Sequence, residues 1–141
     1  MHTLSAAGVS VGVMAAPIIP VLTDPELESI LVASREAGAE SAGYVMLRLP
    51  HEVKALFREW LSHHAPLKAH HVMSVVQALH GGKDYDATFG KRMRGTGPFA
   101  ELIARRFALA CKRLGLNRHR RQLDISAFAP AVNCSAQLAL F

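Results

Sequence analysis

The chain has 141 residues, half of them hydrophobic and 19% charged, which suits one folded domain around a single core and excludes a chain too polar to fold. Its 16 Lys and Arg against 11 Asp and Glu give a net charge of +5, a balance that favours an anionic partner such as nucleic acid or a phosphorylated ligand. Two cysteines, Cys111 and Cys134, are too few for a disulfide framework and read as a reducing, cytoplasmic setting. The basic side chains gather in three knots: Lys91, Arg92 and Arg94; Arg105, Arg106, Lys112 and Arg113; and Arg118, Arg120 and Arg121. The apolar start AAGVSVGVMAAPIIPVL lacks a basic leader, and Pro17 and Pro20 interrupt it too early for a membrane span, so no membrane partner is expected.

In chain order, HTLSAAG reads as the last turn of a helix ending at Gly8. Residues 9–19 form a continuous run rich in valine and isoleucine, as expected of a strand buried on both faces. Asp24 is a suitable N-cap with Pro25 at the first helical position, and Leu27, Ile30 and Leu31 repeat at helical spacing up to a stop at Gly38. Residues 41–50 read as a second buried strand. Strand, helix and strand at this spacing predict a parallel βαβ unit with a right-handed crossover. Beyond Pro50 the period is helical. Val53, Leu56, Phe57, Trp60 and Leu61 share one face until Pro66; Val72, Val75, Val76 and Leu79 mark another, closed by Gly81 and Gly82. A loop, KDYDATFGKRMRGTGP, leads to a helix over 98–114 with Phe99, Leu102, Ile103, Phe107, Ala110 and Leu114 inward and Gly115 as its cap. Periodicity stops after Asn117. Two parallel strands can neither cover their own edges nor close a barrel, so the chain is expected to open in the middle of an α/β fold.

Three stretches carry a family likeness: GVSVGVMAAPIIPVLTDPELESIL, GAESAGYVMLRLPHEVKALFREWL and DYDATFGKRMRGTGPFAELIARRF. In this order they resemble the C-terminal part of radical S-adenosylmethionine proteins, in the branch related to spore photoproduct lyase. The likeness runs from about Ser5 through Asn117 and resumes at the terminal QLALF. It implies an α/β fold that is the C-terminal portion of a partial (β/α) barrel, with two parallel strands followed by a helical extension. On that reading residues 1–66 are late βα units, 67–116 the helical extension, and 117–141 a flexible tail. Members of the family hold a 4Fe–4S cluster on Cys-x-x-x-Cys-x-x-Cys and use it to cleave S-adenosylmethionine to a radical. No such triplet exists here, and Cys111 and Cys134 cannot replace it. The expected function is therefore that of a DNA-repair-related fragment lacking its cluster-binding half. Such a fragment has no catalytic residues of its own and binds neither the cluster nor S-adenosylmethionine alone. Its partner is the missing N-terminal half of the barrel. The alternative is a non-enzymatic module that binds DNA or the sliding clamp.

In parallel α/β folds the ligand site lies at the carboxyl ends of the strands, here APIIPVLTD and RLPHE. The resemblance implies that Met14, Pro17 and Ile18 line the cofactor side while Tyr44 and Arg48 face cofactor or substrate. Strand-end packing is the competing reading for each. The family pattern carries Gly-Leu-Asn-Asp where this chain has Val21, Leu22, Thr23 and Asp24, and Val21 lacks glycine's backbone freedom. GKRMRGTGP ends on a helix N-terminus suited to an anion, with Lys91, Arg92 and Arg94 adding charge for a phosphate backbone; solvated arginines on a glycine-rich connection are the alternative. SHHAPLKAHH places His63, His64, His70 and His71 close together, but Pro66 divides the pairs and no acid or thiol lies near, so no metal site is expected. Asp84, Tyr85 and Asp86 read as an aspartate turn. Finally, QLALF resembles the Gln-Leu-Ser/Asp-Leu-Phe pentapeptide that docks on the bacterial sliding clamp, with Gln137, Leu138, Leu140 and Phe141 as anchors and Ala139 at the variable position. A tail folded back on the core is the other reading.

Overall fold

The computed structural model describes residues 1–118. Among them, five α-helices and two parallel strands make a mixed α/β fold with one sheet. Helix α1, His2–Ala6, is a single turn that buries nothing. Strand β1, Gly12–Ile18, is shorter than the apolar run predicts, and it is covered on one face only. Val11, Ala15 and Ile18 are buried, whereas Gly12, Met14, Ala16 and Pro17 are exposed. A 3-10 turn at Asp24–Glu26 precedes helix α2, Leu27–Glu36, whose Leu27 and Leu31 are fully buried. Asp24 does not cap this helix as expected. Its carboxylate turns back to accept from the Val21 N–H and reaches across to Arg106. Strand β2, Ser41–Met46, pairs in parallel with β1, with Gly12 opposite Ser41 and Met14 opposite Gly43; the register shifts between Ala15 and Ile18.

Helices α3, Val53–His64, and α4, Pro66–Leu79, form a hairpin in which Pro66 opens α4 rather than merely ending α3. The five-residue apolar face expected on α3 is mostly in water. Leu61 is buried and Phe57 half-buried, but Val53, Leu56 and Trp60 are exposed. The reason is that α3 meets one neighbouring helix, α4, through Leu61, while Phe57, Trp60 and His64 stack along its outer side. Val72, Met73, Val76 and Leu79 bury α4 more completely. Helix α5, Pro98–Leu114, lies against α2 and the sheet and ends on Gly115, whose φ of 69° is the left-handed conformation that glycine adopts freely. Ile103 and Ala110 are buried as the period predicts. Leu102 is half in solvent, and Ala100 and Cys111 take the inward positions instead.

Two clusters form the interior. One joins Ala15, Ile18, Leu27, Leu31, Tyr44, Met46 and Ile103, with Phe107 against it; the other joins Leu47, Leu49, Leu61, Val72, Met73 and Val76. A charged latch fixes α5 over the first. Arg106 donates to both Glu28 oxygens (2.8 and 2.6 Å), to the Asp24 carbonyl (2.8 Å) and to the Asp24 carboxylate (3.2 Å). The hydrogen bond from Arg106 is the main reason the Glu28 carboxyl titrates below its ordinary value. A lowered folded-state pKa means that the latch acts fully above about pH 4.5 and is lost as pH falls through the lowered value. Arg106→Gln should cost about 1–2 kcal/mol at neutral pH. The gap between wild type and variant, followed by denaturant unfolding, should narrow below that pH. A gap that stays constant into strong acid would contradict the latch.

Candidate functional site

The two strand ends lie side by side because the strands are parallel, and the open side of the sheet is unusually small. Gly12 and Met14 alternate onto the face that α2 and α5 leave uncovered, opposite Ser41 and Gly43, and Ala16 beyond them is exposed as well. Met14 is 62% exposed and lies over Gly43, where an added Cβ would stand 2.8 Å from the Met14 methyl. A Cβ at Gly12 would collide with the Ser41 hydroxyl. The two glycines therefore keep this face flat. The five residues expected at the cofactor side divide: Met14 and Pro17 are exposed, Ile18 and Tyr44 are buried among the helices, and Arg48 is half-buried just past β2.

The two edges of the sheet are treated differently. On β2, Asn117 acts as a surrogate strand: its side-chain amide accepts from the Ala42 N–H (2.9 Å) and donates to the Ala42 carbonyl (3.0 Å). Its own N–H donates to Glu40 O (2.9 Å). Further along, the Met93 carbonyl accepts from the Met46 N–H (2.9 Å), which straps the basic loop to the sheet. With Ala42 and Met46 turned outward, alternation turns Gly12 and Met14 outward on β1, before the register shifts beyond Ala15. At that edge the backbone groups of Gly12 and Met14 have no partner among the described residues, while the Pro17 carbonyl accepts from the Thr23 hydroxyl at 3.5 Å.

That strap joins two groups of residues that are far apart in the sequence. Arg94 lies with its guanidinium carbon 4.0 Å from the centre of the Tyr44 ring, and Tyr44 packs on Phe107 with centroids 4.7 Å apart. Tyr44, Arg94, Gly95, Thr96, Gly97, Ala100, Glu101 and Ala104 line a groove of about 450 Å³ along the start of α5. Lys91 is exposed and Arg92 half-buried, its guanidinium over the Phe89 ring at 5.6 Å, and neither lines the groove. A larger groove of about 550 Å³ runs between α2 and α5, but its Glu28 and Arg106 are committed to each other.

A polar cluster that periodicity did not reveal stands beyond β2. His80 is 3% exposed, with Nε2 3.4 Å from the Leu47 carbonyl. A carbonyl only accepts, so that nitrogen carries the proton and Nδ1 is left without a partner. Arg48 donates to the Tyr85 hydroxyl at 3.3 Å and keeps a buried Nε–H unpaired. Asp84 accepts from Arg58 (2.8 Å) and from Gln77 (2.9 Å), and Asp86 closes the expected turn by accepting from the Thr88 N–H. The sign of the cluster in the sequence was the His80-Gly81-Gly82 helix end, which reads as punctuation.

His63, His64, His70 and His71 are all exposed, and among the described residues no group of three His, Cys, Asp or Glu could hold a metal. No helix there is long and apolar enough to cross a membrane. Cys111 is buried, and burial raises its thiol above the ordinary value, which disfavours the thiolate an iron cluster needs. Gln137, Leu138, Leu140 and Phe141 lie outside the described residues, as does Cys134. Compared with protein-family models, with curated proteins and with solved structures, the chain matches none.

The turn after β1 holds the clearest backbone strain. Val21, a β-branched residue, has φ of 69° in the left-handed region, held by Asp24 and by the Thr23 hydroxyl accepting from the Ile19 N–H at 2.8 Å. Glycine at this position would relieve the strain at the cost of a half-buried side chain, whereas alanine would lose most of the side chain and keep the strain. Val21→Ala should therefore be less stable than Val21→Gly by about 1 kcal/mol, the reverse of the usual order. Urea unfolding of the pair measures it, and the ordinary order would mean the turn is unstrained.

Proposed function

We propose that this chain is the C-terminal portion of a partial (β/α) barrel of the radical S-adenosylmethionine type, related to spore photoproduct lyase and to DNA repair in the cytoplasm. It acts with a cluster-bearing N-terminal half and is inactive alone. The observation that carries the reading is the asymmetry of the sheet. Helices cover one face, a flat face of Gly12, Met14, Ala16 and Gly43 stays open, and β1 leaves an unpaired edge while β2 is closed by Asn117. A (β/α) barrel keeps its helices outside and turns the other face inward, so this face is the one that would look into the barrel. Val21 supports the same reading, because its left-handed backbone occupies the position where the family pattern has glycine.

The residues present do not fit an iron–sulfur cluster. The cysteines number two, Cys111 is buried with a raised pKa, and no cluster chemistry is assigned to this chain. Its own contribution to the proposed site is a flat, apolar wall with Met14 and Pro17 exposed and Arg48 at the end of β2. S-adenosylmethionine would be held only once the other half completes that wall.

The second reading is a binding module without catalysis, engaging DNA through the basic loop or the sliding clamp through the terminal pentapeptide. What favours it is the exposure of Lys91 and Arg94 on a loop tied to the sheet. Anaerobic reconstitution of the full chain with iron and sulfide tests the first reading. The chain alone should retain only traces of iron and should not cleave S-adenosylmethionine. Near-stoichiometric four-iron loading would overturn the assignment of the cluster to a separate half.

A further inference from the structure

We infer that the groove between Tyr44, Arg94 and the start of α5 is a binding site for a phosphoryl group. The 17-residue helix α5 begins without a side-chain cap. Glu101 makes the first helical bond, to Gly97 O, and Pro98 has no N–H. Among the described residues, the N–H groups of Gly97, Phe99 and Ala100 have no acceptor. A helix N-terminus in this state carries partial positive charge and aligned donors. Gly97 has φ of 88° and ψ of −178°, a conformation nearly confined to glycine, and an added Cβ would meet only Ala78 O at 3.9 Å. The residue is thus needed for the bend, and the space beside it is left open.

Tyr44 supplies the independent indication. It is 4% exposed and lines the groove, yet its hydroxyl has no hydrogen-bond partner among the described residues. The sealed, partnerless side-chain atoms there are Arg48 Nε and His80 Nδ1. The Tyr44 hydroxyl is not among them, so it is open to solvent, on a buried side chain that lines the groove and with no protein acceptor among the described residues. Arg94 lies over the same ring at 4.0 Å and forms no ion pair among the described residues. Glu101, which also lines the groove, is turned to Arg105 at 3.7 Å. Gly97 and Ala100 from the start of α5, Tyr44 from β2 and Arg94 from the loop line the same groove, so amides, a phenol and a guanidinium are available from three elements. That arrangement suits a tetrahedral group with several charged oxygens better than a planar carboxylate.

The inference deepens the nucleic-acid side of the readings above, but the groove can be tested without nucleic acid. The full chain, labelled with nitrogen-15, is titrated with inorganic phosphate against chloride at equal ionic strength. A second titration uses a short single-stranded oligonucleotide. Phosphate should shift the amides of Gly97, Phe99 and Ala100 saturably. Tyr44→Phe, which keeps the ring and its packing, should weaken that response about tenfold, the scale of one charge-assisted hydrogen bond. Arg94→Gln should weaken it as well. The same amides responding to the oligonucleotide would identify the phosphate as part of a nucleic-acid backbone. A response to phosphate alone would support the groove with a small phosphorylated ligand. Silence at all three amides in both titrations overturns the site. So does a response confined to residues 91–94 with the oligonucleotide, which would leave nucleic-acid binding standing without this groove. An unchanged affinity in Tyr44→Phe, with its thermal midpoint preserved, removes the hydroxyl from the proposal and with it the reason for choosing this groove.

Discussion

The packing of Tyr44 against Phe107, with ring centroids 4.7 Å apart, holds helix α5 across the parallel pair of strands. Arg106 fixes the same helix a second time, on Asp24 and Glu28 at the turn after β1. Two-point attachment determines which way the start of α5 faces. Its uncapped N–H groups are thereby presented beside Tyr44 and Arg94. The aromatic contact is mostly burial, the charged one is directional, and losing either would loosen the groove before it unfolded the core.

The sheet carries a further constraint. Parallel strands are ordinarily covered on both faces, and an unpaired edge is a template for another strand. Here the later edge is closed from within the chain by the Asn117 amide and the Met93 carbonyl, while the earlier edge and the flat face are open. Such one-sided completion is what a segment needs if the rest of a barrel is added on the side of β1. The small residues at Gly12 and Gly43 would then serve close approach, either of a ligand or of another strand.

Much of the secondary structure was legible because its signals are local. The valine-rich run, the Leu27–Leu31 period, Gly38, Pro98 and Gly115 each mark an element or its end, and the parallel pairing followed from strand–helix–strand spacing. What was not legible depends on neighbours distant in the chain. The apolar residues of α3 read as a core face, but α3 packs chiefly on α4 and Val53, Leu56 and Trp60 stay exposed. Asp24 has the chemistry of a cap, yet Arg106, 82 residues away, competes for its carboxylate. Asn117 read as the start of a tail, while its amide pairs with Ala42, 75 residues earlier. At the site, Tyr44 and Arg94 were each singled out for separate reasons, and nothing local said that they touch. His80 was missed because a histidine before two glycines carries no periodic signal.

β1 presents an uncovered face and an edge left unpaired at Gly12 and Met14, on the side where the proposed barrel would continue. Amide hydrogen exchange of the full chain reads this residue by residue. Val13 and Ala15, which turn their N–H groups toward β2, should be protected, and so should Ala42 and Met46, held by Asn117 and Met93. Gly12 and Met14 should exchange at close to the unprotected rate. Strong protection of Gly12 and Met14, equal to that of Val13 and Ala15, would mean that the edge is already paired and would contradict the account.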